Sequence, residues 1–158
     1  MPETIPTIAK VIAPPPILFA GTLAAGLLID HFVLRLPMGM PEMLRWLAGA
    51  LFVASGAVLL VLAARGFGRA GTGVRHAAGS SALVTSGPHA FSRNPMYLGM
   101  ALTYAGIAVL ANSLAVLALL APLLIVMQFG VIAREERFLE AKFGDAYRAY
   151  RNRVRPWI

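Results

Sequence analysis

From Asn94 to Ala133 the chain runs for 40 residues without a charged side chain, about twice what one helix needs to cross a hydrocarbon core of roughly 30 Å. Backbone polar groups cannot stay unpaired in lipid, so such a run folds as helix, and at this length as a helical hairpin. Asn112 and Ser113 sit near its midpoint and supply the turn. Trp46 to Ala64 is a second uncharged stretch, 19 residues framed by Arg45 and Arg65. Val11 to Ile29 is a third, and it passes into Asp30, His31 and further apolar residues. A secretory signal would be shorter and end in a small-residue cleavage site, so this segment is expected to remain as a span. The expected fold class is therefore all-α. It is a polytopic membrane helical bundle with spans at about 14–36, 45–64, 95–111 and 114–133 in a single domain over 1–158, plus a C-terminal amphipathic helical tail. A fifth crossing would require Ile5 to Pro16 to enter the membrane.

Charge supports the membrane class and sets an orientation. Hydrophobic residues make up 58% of the chain and mean hydropathy is +0.72, well above a soluble domain. The net charge of +7 does not form the basic stripe on a soluble face that nucleic-acid binding needs, so no nucleic acid is expected as a partner. Arg65, Arg69, Arg75 and Arg93 lie between the second and third spans, and seven more basic residues follow the fourth. The positive-inside rule then puts both segments, and both termini, in the cytoplasm. Arginine greatly outnumbers lysine and Ala and Gly abound, a bias that suits a GC-rich bacterial genome; the expected location is a bacterial inner membrane. Without cysteine there is no disulfide framework and no thiolate site, and no metal site is expected. Small residues recur at fours, as in Ala20 and Ala24, Ala50 and Ala54, Gly99 and Thr103; this suits close helix approach, and it also arises by chance in Ala-rich helices.

Two segments carry polar chemistry. Residues 66–94 form a connection rich in Gly, Ser, Thr, His and Arg, long for so small a protein and hence a functional candidate. The tail, 134–158, reads as an amphipathic helix ending near Gly144 and a second one capped by Asp145, with Phe138, Leu139, Phe143, Tyr147 and Tyr150 as apolar faces. It can lie along the membrane surface. Taken singly, these residues have bland readings. Arg93 ahead of Pro95 is ordinary interfacial punctuation before a span. Glu135 and Glu136 between Arg134 and Arg137 suit a solvated helix start, and Tyr97, Tyr147 and Tyr150 suit an aromatic belt.

In combination they resemble a known family. The run Leu83-Val84-Thr85-Ser86-Gly87-Pro88-His89-Ala90-Phe91-Ser92-Arg93-Asn94-Pro95-Met96-Tyr97-Leu98-Gly99 is similar to the Gly-Pro and Arg-His/Asn-Pro-x-Tyr-x-Gly signature of the isoprenylcysteine carboxyl methyltransferase and phospholipid methyltransferase superfamily of integral membrane enzymes. A second block follows at family-like spacing: Glu135-Glu136-x-x-Leu139, Phe143-Gly144-Asp145-x-Tyr147-x-x-Tyr150 and Arg153-Val154. The likeness covers roughly residues 44 to 158.

The resemblance implies methyl transfer from S-adenosyl-L-methionine, with S-adenosyl-L-homocysteine as product, to a lipidic or small amphiphilic acceptor at the bilayer. It implies cofactor contacts at Ser81, Ala82, Leu83, Val84, His89, Asn94, Pro95, Met96, Tyr97, Glu135 and Glu136. Anions there suit the ammonium and sulfonium, and the amides opening the third span suit the carboxylate. In-line displacement rests on positioning more than on a catalytic triad, and no catalytic residue is assigned. His89, Arg93 and Arg134 are the candidates, and an ammonium acceptor would need a base such as His89 or a glutamate. This chain has His89 where the family usually has an aromatic residue, and Asn94 where it often has histidine. Val131 stands where the isoprenylcysteine enzymes have a substrate-contacting arginine, which argues against a prenylcysteine acceptor. Two other classes compete. A non-enzymatic membrane scaffold or transporter subunit would leave the glutamates incidental, and a sterol-type membrane reductase would need a larger basic pocket for a dinucleotide.

Overall fold

A computed structural model describes residues 11–69 and 82–158. Among these residues all regular structure is helical. Helix α1 spans Pro15–Phe32 and α2 spans Glu42–Arg69. After a single 3-10 turn at Gly87–Ala90 come α3, Pro95–Leu110, and α4, Leu114–Val126. A π turn, Met127–Ile132, carries α4 directly into α5, Ala133–Phe143, and α6 follows at Asp145–Arg153.

Three helices are long and apolar enough to cross a membrane: Pro15–Phe32, Glu42–Arg69 and the continuous Leu114–Phe143. The remaining apolar helix, Pro95–Leu110, is shorter. Its 16 residues reach about 24 Å at 1.5 Å per residue, so the third apolar segment is a shorter rod than the others. Pro122 lies inside α4; it removes one ladder donor, and five residues later the helix widens into the π turn, a device that commonly accompanies bends. The long apolar side chains of α2, among them Leu47, Leu51, Val58 and Leu62, stay exposed on the protein, as a helix facing lipid requires.

What holds α2 to α3 is a glycine seam with a spacing of seven, and the expected small pair Gly99 and Thr103 is part of it, facing Gly56. The buried residues of α2 are Gly49, Gly56 and Ala63, seven apart. On α3, Gly99 and Gly106 repeat the same spacing. A Cβ added at Gly99 would lie 3.0 Å from the Gly56 carbonyl oxygen, and one at Gly106 would lie 2.8 Å from that of Gly49. The two backbones therefore run in contact, which only glycine permits.

The hairpin turns at Asn112, whose φ of 54° is the one positive value outside glycine among the described residues. Fully buried Ser113 caps α4 by accepting the Val116 amide at 3.1 Å and donates to Asp30 Oδ1 at 2.6 Å. The Asn112 side chain accepts the Met38 amide, and Arg45 donates to the Leu110 carbonyl. This polar cluster lies at the end of the bundle remote from the loop, so Asp30 serves α1–α4 docking. Ser113→Ala removes both bonds and leaves the rest intact, and should lower stability by about 2 kcal/mol. Asp30→Asn keeps an acceptor and should cost less. Unfolding of the two variants in one detergent checks the order.

At the other end α5 stops at Gly144, with φ 53°. Gly144, not Asp145, occupies the cap position of α6, and no side-chain cap bond is made there. Asp145 is the first helical residue and receives Arg148 instead. A residue with positive φ closes one helix and opens the next, so the expected aspartate cap has no place to form.

Candidate functional site

The chain closes a cavity of about 190 Å³ at the end of the bundle where α2 finishes and α3 begins. Ala82, Leu83 and Val84 approach from the connection, His89 from the 3-10 turn, and Asn94, Pro95, Met96 and Tyr97 from the start of α3. Glu135 and Glu136 come from the first turn of α5. Every cofactor-contact residue expected from the sequence and lying within the described residues lines this one cavity. Ser81 falls outside the described residues. Arg93 also lines the cavity, whereas Arg134 is exposed and does not.

The glutamates differ sharply. Glu136 is an ion-pair partner, its Oε1 accepting Arg93 Nε at 2.9 Å. Glu135 is 7% exposed and accepts the Tyr97 hydroxyl, which lies 2.8 and 2.9 Å from its two oxygens. Among the described residues no cationic side chain pairs with it. Glu135 lies past the end of the uncharged run at Ala133, on the charged final part of the Leu114–Phe143 helix. Burial pushes its carboxyl up to about 7; the Tyr97 hydrogen bond pulls the other way, and the neighbouring Glu136 charge adds to the rise. The result is a buried acid poised near neutral pH with no cationic side chain paired to it among the described residues.

His89 is 4% exposed and its ring meets Phe67 edge-on at 5.0 Å. Burial lowers its pKa to about 4, so the imidazole is neutral at physiological pH and a weak proton acceptor. Its Nδ1 is the buried side-chain polar atom without a hydrogen-bond partner among the described residues, a vacancy that folded proteins ordinarily fill. The backbone at the start of α3 offers further donors. Ser92 Oγ takes the Asn94 amide, and the first intrahelical bond is Leu98 to Asn94, which leaves the Met96 and Tyr97 amides directed out of the helix. The Asn94 side chain makes no cap bond and donates instead to the Pro156 carbonyl at 2.9 Å.

Several wall residues were not expected from the sequence. Phe67, at the end of α2, and Met100 and Pro16 line the cavity, and nothing in their local pattern separates them from lipid-facing residues. Leu139, Tyr147 and Tyr150 line it too. The tyrosines are buried, 1% and 4% exposed, and stand edge-on to one another, so they are walls of the site and not members of an aromatic belt. Among the described residues no three His, Asp or Glu side chains gather as a metal ion would require.

A family model described as phospholipid methyltransferase matches residues 44–146, from the start of α2 to the start of α6. The chain belongs to the phospholipid methyltransferase family. With three helices able to cross a membrane, it is a membrane-embedded methyltransferase of that family. An uncharacterized protein of Haemophilus influenzae is 53% identical over 49 residues, 31% of this chain and 76% of that protein. The cobalt-zinc-cadmium resistance protein CzcN of Cupriavidus metallidurans is 41% identical over 66 residues, 42% of this chain and 31% of that protein. No solved structure matches.

Proposed function

We propose that this phospholipid methyltransferase family member uses S-adenosyl-L-methionine to methylate a lipidic or small amphiphilic acceptor at the membrane interface, at a site on the cytoplasmic face of a bacterial inner membrane. The observation that carries the reading is Glu135, a buried carboxylate that no cationic side chain among the described residues pairs, in a cavity whose apolar walls include Phe67, Leu83, Val84, Met96 and Leu139. Such a group is costly unless a cationic ligand completes it. S-adenosyl-L-methionine, when bound, supplies a methyl group activated by its sulfonium.

The residues present suit that cofactor. Glu135 would hold positive charge, with Tyr97 fixing the orientation of its carboxylate. The Met96 and Tyr97 amides, at a helix N-terminus begun by Pro95, would hold the carboxylate. The unpartnered Nδ1 of His89 has hydrogen-bonding capacity left for a polar ligand, while the apolar and aromatic walls exclude water and confine the reacting groups. Arg65 and Arg69 at the end of α2, and the arginines of α6, cluster at this end of the molecule, which argues for the cytoplasmic side.

The test is calorimetric binding of S-adenosyl-L-methionine and S-adenosyl-L-homocysteine to the detergent-purified protein as a function of pH. A protonated Glu135 offers no charge to a cation, so binding must release its proton. Affinity should rise by up to about tenfold per pH unit from about pH 5 and level off above about pH 7. Saturable binding with that slope supports the reading, and an acceptor screen over lipid and small amphiphilic amines, acids and thiols then follows. A well-folded protein that binds neither compound at any pH rejects it.

A further inference from the structure

Three consecutive residues, Ser92, Arg93 and Asn94, direct polar groups at carbonyls of the last turn of α6 and the segment after it. Arg93 Nη1 donates to the carbonyls of Arg151 at 3.1 Å and Val154 at 2.7 Å, and its backbone amide donates to that of Arg155 at 2.9 Å. Ser92 Oγ and Asn94 Nδ2 both donate to the Pro156 carbonyl. One residue on, Trp157 Nε1 donates to Gln128 Oε1 at 2.9 Å, inside the π turn. Arg93 Nε and Nη2 are taken by Glu136, so four of the five guanidinium hydrogens are committed within the protein.

We propose that Arg93 is a positioning residue: it straps the segment after α6 against α3 and α5, so that Tyr147 and Tyr150 stand as a wall of the cavity, and it does not touch the ligand. The inference rests on the methyltransferase reading above for what the cavity holds, but the strap itself does not depend on it. Tyr150 reports the same arrangement from the other side, its hydroxyl donating to the His89 carbonyl at 2.7 Å. The wall thus fixes the turn that carries His89. The carbonyl half of the strap lies in the last turn of α6 and the segment after it, beyond residue 146, where the family match ends. Only one guanidinium hydrogen is uncommitted, so an arginine that clamped the ligand's carboxylate with two hydrogen bonds would have to give up Glu136 or a carbonyl it now holds.

The experiment uses full-length protein with Arg93→Lys and Trp157→Phe. Lysine keeps a charge for Glu136 but, as a single ammonium, cannot span Glu136 and two carbonyls. Phenylalanine leaves the charge arrangement untouched and removes only the Trp157–Gln128 bond. Hydrogen exchange of residues 145–157 is measured without ligand, and S-adenosyl-L-homocysteine binding in parallel. Both variants should exchange faster across 145–157 with no change in 114–126, and both should bind roughly tenfold more weakly. Weaker binding by Arg93→Lys with the tail still protected, or by Arg93→Lys alone while Trp157→Phe loosens the tail and binds normally, would mean direct ligand contact and overturn the proposal. Unchanged exchange in both variants overturns it as well. If wild type binds no S-adenosyl-L-homocysteine, the cofactor reading fails, and the exchange data still decide the strap.

Discussion

Glu135→Gln should weaken S-adenosyl-L-homocysteine binding by roughly a hundredfold, about 3 kcal/mol, while the protein stays folded. Glutamine keeps the shape and still offers an oxygen to the Tyr97 hydroxyl, so the hydrogen bond seen at 2.8 Å has a successor. What disappears is the charge of a buried cavity carboxylate that, among the described residues, is not paired to an arginine as Glu136 is. Tyr97→Phe, which leaves the charge and loses its orientation, should cost roughly tenfold. Stability should move the other way with pH. Because burial raises the Glu135 carboxyl to about 7, the folded state keeps a proton that the unfolded chain releases at lower pH. This group's contribution to stability is therefore full below the ordinary carboxylate range, declines as pH rises toward about 7, and stays low above. Glu135→Gln removes that decline and should unfold at a higher temperature than wild type at alkaline pH. Binding equal to wild type in the variant, measured by calorimetry on protein shown to be folded, would detach Glu135 from the ligand and with it the central support for the proposed chemistry.

The sequence is most informative where physics is local. An uncharged run too long for one helix, with Asn112 and Ser113 in the middle, turns at those residues because αL backbone and a serine cap are favoured there. The gathering of Ala82 to Val84, His89, the Asn94–Tyr97 run and the two glutamates in one cavity was expected only through a family resemblance. No periodicity joins residues 38 apart such as Tyr97 and Glu135. The role of Arg93 was not legible at all, since most of its partners are backbone carbonyls, and carbonyls leave no mark on the residue types that carry them. Tyr147 and Tyr150 had the composition of an interfacial belt. Only the fold-back of the segment after α6, made by those carbonyl bonds, turns them inward. The Gly49–Gly56 and Gly99–Gly106 pairs were hidden for a different reason. A sevenfold spacing of glycine in a chain with 15 glycines stands out only once the facing helix is known.

That seam sets the second large effect. Gly56→Val would place a Cβ 2.6 Å from the Gly99 carbonyl oxygen and 2.8 Å from the Thr103 amide nitrogen. Both neighbours are backbone of a packed helix, so neither can turn aside as a side-chain end would, and α2 and α3 must separate along their length. We expect a loss of about 3 kcal/mol or more, at the upper end for overpacking. Gly21→Val is the matched control, because a Cβ at Gly21 meets nothing within 4 Å, and its unfolding temperature should stay close to wild type. The seam also reaches the site. Phe67 sits at the end of α2 and Tyr97 at the start of α3, and both line the cavity. A milder wedge, Gly56→Ala, should therefore reduce ligand affinity as well as stability, whereas Ser113→Ala, at the opposite end of the bundle, should reduce stability alone. Equal ligand affinity in the two variants at equal loss of stability would show that α2–α3 contact holds the bundle together without shaping the cavity.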